Sequence, residues 1–193
     1  MDRILKAIAL ASTGHQTQKR KVDGTPYIAH PLAVGMILQT ITTDENIIIA
    51  GILHDVLEDT QISPEVIRAH FSPEVLGYVQ AVTEDKSITD WRERKARSIH
   101  HLQTVSYPGK LIAAADKYHN LYTLCDDQAR EGEAIWEKFK RGKAEQSWYY
   151  QTLYSLFKAD HALQSLHIIS EMDTYLQMLF PKEGAIPSPA KSG

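Results

Sequence analysis

His54-Asp55 and Glu58-Asp59 form the densest cluster of functional side chains in the chain. On an α-helix turning about 100° per residue, His54, Glu58, Asp55 and Asp59 fall at about 0°, 40°, 100° and 140°, so all four share less than half of the circumference. Three carboxylates crowded there repel one another unless a cation or a strongly basic partner neutralises them. A solvated acidic helix end would carry the same residues, but the AGIL that precedes His54 is apolar and small. The helix is therefore expected to be buried up to the His-Asp pair, where ionisable groups need pairing or a metal.

Asp116 and Asn120, four residues apart in LIAAADKYHNL, leave a second apolar run on one helix face. A carboxylate leaving an Ala-Ala-Ala segment is costly without a cation or good hydrogen-bond donors, although an isolated aspartate there also serves as a helix-packing partner. His30 lies in DGTPYIAHPL, where a turn ends and a helix begins at Pro31. Alone it reads as a core or capping histidine. Taken together, His30, His54, Asp55 and Asp116 offer two nitrogens and two carboxylates from three separate helices, a set that suits a divalent first-row ion such as manganese or iron with positions open for water and substrate. His119 falls about 300° from Asp116 on their common helix and reads as a surface residue or a support to a ligand rather than a ligand. His100 and His101 read as helix-surface and packing residues.

These side chains need elements to hold them, and the chain reads as helices from end to end. Ile4, Leu5, Ile8 and Ala9 give an apolar stripe after Asp2, and Leu32, Met36 and Ile37 give another after Pro31. Thr42 with Glu45 makes a capping box before NIIIAGILHDVLED. Ser63-Pro64 and Ser72-Pro73 each pair an N-cap residue with proline at the first helical position. A helix capped near Asp90 follows the polar TEDKSITDWRERK, and Tyr107-Pro108-Gly109 forms a turn before KLIAAADKYHNLYTL. Further helices are expected over Ala134 to Lys140, Ala144 to Lys158 and Ala162 to Leu179. No strand alternation, internal repeat or Gly-rich phosphate loop stands out. The expected architecture is one all-α domain of about eight to ten helices over residues 1–180, with a flexible tail at 181–193, PKEGAIPSPAKSG.

Composition narrows the chemistry. The 193 residues carry 21 Lys plus Arg against 24 Asp plus Glu, a net charge of −3, so the domain-wide excess of basic residues that marks a nucleic-acid binder is missing. The lone cysteine, Cys125, can form no internal disulfide and no thiolate cage, so a metal must be held by nitrogen and oxygen. MDRILKAIAL is too short an apolar stretch for a secretory signal, and no run approaches the roughly 18 apolar residues of a membrane span. A soluble cytoplasmic protein without membrane or nucleic-acid partners is expected, with homodimerisation through the last helices left open.

RKVDGTPYIAHPLAV, GILHDVLEDT, AVTEDKS, the ERK of WRERK and AADKYHNLYTL, in the order His, His-Asp, Asp, resemble the HD phosphohydrolase superfamily. Within it the motifs are similar to the hydrolase domain of the RelA/SpoT homologue family, from about His15 to Tyr150, and the length matches its stand-alone members, the small alarmone hydrolases. The resemblance implies an HD-domain helical bundle and a Mn²⁺-dependent hydrolase that removes pyrophosphate from the ribose 3′ position of ppGpp or pppGpp, giving GDP or GTP. It implies His30, His54, Asp55 and Asp116 as metal ligands and Glu58 and Asp59 as the residues that position and activate the attacking water. Arg20 and Lys21 would lie near the nucleotide and its phosphates, and Asn120 at the ribose. Lys117 is a further candidate cation, although a solvated surface position reads better for it. After Leu124 the resemblance loosens; Tyr149 and Tyr150 are expected in the core or the cleft wall, where they could touch the base, with Arg141 as a phosphate contact. Since the chain is expected to lack the synthetase and regulatory domains of the long bifunctional members, it reads as a hydrolase without the opposing activity. Alternatives are hydrolysis of another phosphorylated nucleotide, an adenine alarmone or the 2′-phosphate of NADPH, and a catalytically silent nucleotide-binding regulator.

Overall fold

The computed structural model describes residues 2–181. Its helices are α1 (Asp2–Gly14), α2 (Ala29–Gln39), α3 (Glu45–Leu53), α4 (Val56–Asp59), α5 (Pro64–His70), α6 (Pro73–Val82), α7 (Trp91–Thr104), α8 (Tyr107–Glu131), α9 (Gly142–Ala159) and α10 (His167–Leu179), with a 3₁₀ helix over Gly132–Lys138. Among the described residues no strand forms, and one isolated bridge joins Lys19 to Pro26. The all-α expectation holds. No helix among these residues is long and apolar enough to cross a membrane. The tail expected from Pro181 onward lies, beyond that proline, outside the described residues.

Helix α3 is apolar on every side, and Ile47 through Leu53 are all buried, as such a helix must be. It packs against α1, α2, α6 and α8. Two glycines set its closest approach to α2. A Cβ on Gly51 would stand 2.2 Å from Leu38 Cδ1, and one on Gly35 would stand 2.5 Å from Ile52 Cγ1. Helix α8 lies across this pair and α6, with α10 against it, and buries Leu111 through Asp116. Leu111 and Ile112, both 0% exposed, each contribute about 1.5–3 kcal/mol by burial. Helices α2, α3 and α8 thereby bring His30, His54 and Asp116 toward one point.

Several local expectations are corrected. The N-cap of α3 is Asp44, whose side chain accepts from Asn46 N–H at 2.9 Å; Thr42 Oγ1 accepts from Asp44 N–H, and Glu45 pairs instead with Arg3 of α1 at 3.0 Å. The helix does not run unbroken through the HD pair. His54 turns its Nδ1 onto the Gly51 carbonyl at 2.8 Å, the acceptor that a continuous helix offers to the Asp55 N–H, and α3 stops at Leu53 before α4 restarts at Val56. Both residues keep right-handed torsions, so the chain direction is preserved. Tyr107-Pro108-Gly109 is the first turn of α8, where proline's missing N–H is harmless. The segment expected as helix from Ala134 is a 3₁₀ helix after Gly132 at φ 67°. The last helix begins at His167 because Asp160 draws the chain into a turn, its side chain accepting from Ala162 N–H at 2.9 Å.

Between α1 and α2 the chain folds back on itself. Arg20 N–H donates to the Thr25 carbonyl at 2.8 Å, Gly24 N–H to the Arg20 carbonyl at 3.2 Å, and Tyr27 N–H to the Gln18 carbonyl at 2.9 Å. Gly24 sits at φ 73°, a torsion that favours glycine. The ribbon presents Tyr27 to the start of α4 and Arg20 to the middle of α8.

Candidate active site

His30, His54 and Asp116 each direct one potential ligand atom into a common space, all within 4.8 Å of one another. Asp55 joins them: its Oδ2 lies 3.1 Å from His54 Nε2 and 3.7 Å from His30 Nε2. Asp116 Oδ1 lies 3.1 Å from His30 Nε2 and 3.7 Å from His54 Nε2. The four candidate ligands therefore meet as the spacing anticipated. His54 Nε2 is buried without a hydrogen-bond partner, lying near Asp55 Oδ2 but off the line of a hydrogen bond. Two imidazole nitrogens, one of them orphaned, and two carboxylate oxygens fit a divalent first-row ion.

The electrostatics agree. Burial would raise the Asp116 carboxyl, but Lys117 and the two imidazoles overrule it and hold Asp116 well below the usual range. Burial likewise opposes ionisation of Asp55, and His54 and His30 outweigh it, lowering Asp55. Burial lowers His30, which favours the neutral ring that a ligand requires. On His54 burial works downward too, but Asp55 and Asp116 overcome it and raise its proton affinity. A cation and a proton thus compete for the same negative pocket.

The cluster faces a cleft of about 400 Å³. A second cleft, of about 320 Å³, holds Arg20, Lys21 and Tyr150 on its wall. Tyr27, Asp59 and Asn120 line both, so the two meet beside the ligands. Asn120 Nδ2 donates to Asp116 Oδ1 at 2.6 Å and its Oδ1 accepts from Arg20 Nη1 at 3.1 Å. Arg20 also donates to Thr123 Oγ1 at 2.8 Å. Lys21 is exposed on the second cleft. Tyr149 lines the first cleft beneath Lys95, whose Nζ stands 4.7 Å from the ring centre.

Glu58 enters the first cleft, its Oε2 accepting from Glu84 N–H at 3.1 Å. Burial pushes its carboxyl above the ordinary value, with nearby Glu84 and Asp55 adding to the rise. Asp59 pairs with Lys86, which also donates to the Glu58 carbonyl at 2.8 Å. Lys117 corrects the sequence reading. It is no solvated surface cation: its Nζ donates to Asp116 Oδ2 at 2.5 Å, with the side chain 19% exposed. Arg141 is exposed just before α9 and lines neither cleft. His119 bonds to a candidate ligand, its Nδ1 2.9 Å from His30 Nδ1, while exposed His101 reaches the wall of the first cleft.

A family model described as HD domain matches residues 7–144. The chain belongs to the HD-domain family. Within it, the proteins named guanosine-3′,5′-bis(diphosphate) 3′-pyrophosphohydrolase MESH1 are 35% identical over 142 residues in Danio rerio, covering 71% of this chain and 78% of that protein, and 39% identical over 125 residues in Drosophila melanogaster, covering 63% and 69%. A solved structure titled as a metazoan ortholog of SpoT that hydrolyzes ppGpp superposes with a TM-score of 0.76 at 27% identity, covering 92% of this chain and 95% of that one. The solved structure of lmo0812 from Listeria monocytogenes superposes with a TM-score of 0.73 at 34% identity, covering 79% of this chain and 99% of that one. The RelA/SpoT-type resemblance read from the motifs is upheld.

Polar neighbours that the sequence reading left without a role line the same cleft as the HD residues. Tyr27 Oη donates to Asp55 Oδ2 at 2.6 Å. Glu84, at 8% side-chain exposure, accepts from Lys95 Nζ at 2.7 Å and Arg94 Nε at 3.3 Å. The signal was there: Glu84 stands in AVTEDKS, Arg94 and Lys95 in WRERK, and Tyr27 three residues before His30. What was missing was the packing of α7 beside α6 and α9, which sequence spacing does not encode.

Proposed function

We propose that this HD-domain chain hydrolyses the 3′-diphosphate of guanosine alarmones, releasing pyrophosphate and leaving GDP from ppGpp or GTP from pppGpp. The observation that carries the reading is the His30, His54, Asp55 and Asp116 cluster set beside the meeting of two clefts, each with its own cations. The names of the relatives point to the same reaction. His30, His54, Asp55 and Asp116 would hold Mn²⁺, which when bound supplies Lewis acidity and lowers the pKa of water; the donor set without thiolate supports this choice of ion.

The side chains supply the rest. Arg20, Lys21 and Asn120 bind and orient the nucleotide in the second cleft, with Tyr150 forming its wall and Tyr149 that of the first. The diphosphate lies along the first cleft toward Arg94, Lys95 and Lys117, whose charges offset that developing on the transferred group. Glu58 accepts a proton from the attacking water at its carboxylate, and Asp59 holds that segment in place through Lys86. Attack at the phosphorus on the 3′ oxygen expels the ribose hydroxyl. Arg141 becomes a phosphate contact only for a substrate long enough to leave the cleft. The reading places the enzyme in the cytoplasm, among free nucleotides and with Cys125 reduced.

The test is product analysis after incubation with Mn²⁺ and equal concentrations of ppGpp, pppGpp, an adenine alarmone and NADPH. Pyrophosphate with GDP or GTP is expected. Intact guanosine alarmones after prolonged incubation with metal-loaded protein refute the reading, and preferential loss of phosphate from NADPH would replace it.

A further inference from the structure

The two candidate ligand imidazoles are anchored differently on their far sides. His54 Nδ1 lies 2.8 Å from the Gly51 carbonyl, which only accepts, so this ring keeps a proton on Nδ1 and its tautomer is fixed by the backbone. His30 Nδ1 instead lies 2.9 Å from Nδ1 of His119, a partner that donates or accepts according to its own tautomer. His30 is 1% exposed, and a buried imidazole N–H left without a partner forfeits its full solvation.

Two neutral arrangements satisfy this pair. In one, His30 holds its proton on Nε2 and donates toward Asp116 Oδ1, 3.1 Å away, while His119 Nδ1–H donates to His30 Nδ1. In the other, the His30 proton is on Nδ1 and is accepted by His119 Nδ1, whose own proton has moved to Nε2. Each ring holds one proton in both, so the change is tautomeric and the pair neither gains nor loses a proton. Only the second leaves the His30 Nε2 lone pair free to bind a cation.

We infer that His119 is the positioning residue that sets the tautomer of His30, accepting the Nδ1 proton so that Nε2 is presented bare to a divalent ion. The inference rests on the metal site proposed above and adds to it a residue on α8 outside the ligand set. A side chain that neither donates nor accepts leaves His30 in the form bonded to Asp116. One that does both, such as glutamine, retains the choice.

Calorimetric titration of the full chain with MnCl₂ alone tests this. His119→Leu is expected to weaken binding by about 10–100-fold, the usual cost of losing a partner of a metal-bound histidine, while His119→Gln stays within about threefold and the exposed His100→Ala is unchanged. In the wild type loaded with diamagnetic Zn²⁺, ¹⁵N spectra of labelled histidine should show His119 bare at Nδ1 and protonated at Nε2, with a coupling across the bond from His30 Nδ1–H, a signature that a purely structural role for His119 would not require. Equal Mn²⁺ affinity of wild type and His119→Leu overturns the inference alone. A wild type that binds no divalent ion overturns the metal site and the inference with it. Should His119→Leu fail to fold, the wild-type spectrum decides, and a His119 protonated at Nδ1 with the ion bound refutes the assignment.

Discussion

Replacing Gly51 by alanine tests whether the crossing of α2 and α3 sets the ligand geometry. The added Cβ would stand 2.2 Å from Leu38 Cδ1, with Val34 Cγ1 at 3.5 Å behind it. The Leu38 methyl is the end of a side chain, yet Leu38 is 0% exposed and has no open space to swing into. Overpacking of this kind costs about 1–3 kcal/mol, and a contact this short belongs at the upper end. Alanine returns about 0.8–1 kcal/mol of helix propensity. The net expectation is a loss of about 2 kcal/mol, which for a chain of this size lowers Tm by about 4–8 °C. Because α2 carries His30 and α3 leads into His54, pushing the helices apart should also weaken Mn²⁺ binding. Gly77→Ala is the internal control: it is helical, exposed and has nothing within 4 Å of its added Cβ. It should gain about 0.8–1 kcal/mol and leave metal affinity unchanged. Thermal unfolding in EDTA and calorimetry with Mn²⁺ read both quantities. Equal Tm shifts for the two variants would refute the argument that close backbone approach at Gly51 holds the site.

Further outcomes follow from the site itself. Asp55→Ala and His54→Ala should each bind Mn²⁺ at least about 100-fold more weakly and abolish turnover, measured by calorimetry and pyrophosphate release. Glu58→Gln should reduce kcat by about 10²–10⁴-fold. Since Glu58 acts ionised and burial raises its carboxyl above the ordinary 4.5, kcat/KM of the wild type should already decline on acidification above pH 4.5, a limb that Glu58→Gln removes. Burial would raise Glu84, but Lys95 and Arg94 hold it below 4.5. Its stabilisation is therefore complete above that pH and disappears as pH falls through the depressed value. Glu84→Gln should cost about 1.5–3 kcal/mol at neutral pH and flatten the acid decline of Tm, as followed by circular dichroism.

The candidate ligands were legible because their chemistry is local: a His-Asp pair after AGIL and an aspartate after Ala-Ala-Ala are costly unless they meet a cation. Caps were legible for the same reason where one side chain decides them. Ser72 accepts from Val75 N–H and Asp90 from Glu93 N–H, as read. Asp44 won over Thr42 because its carboxylate reaches Asn46 N–H while Glu45 is drawn away to Arg3. The break at His54 escaped because it depends on a ring bonding to a carbonyl within its own turn. Lys117 was misjudged because Asp116 and Tyr149 claim it from two helices, and Glu84 with Lys95 meets only after α7 has docked.

The ribbon between α1 and α2 has a consequence for binding. Its bridge at Lys19 and Pro26, and its bonds from Tyr27 to Gln18 and from Arg20 to Thr25, fix the backbone that carries the arginine proposed to meet the nucleotide and the tyrosine on Asp55. A free loop here would lose roughly 1–2 kcal/mol of conformational freedom for every residue it ordered around a nucleotide. Folding has already met that cost, so association at this wall gives up little entropy. Recognition by Arg20 should accordingly show a small entropic penalty.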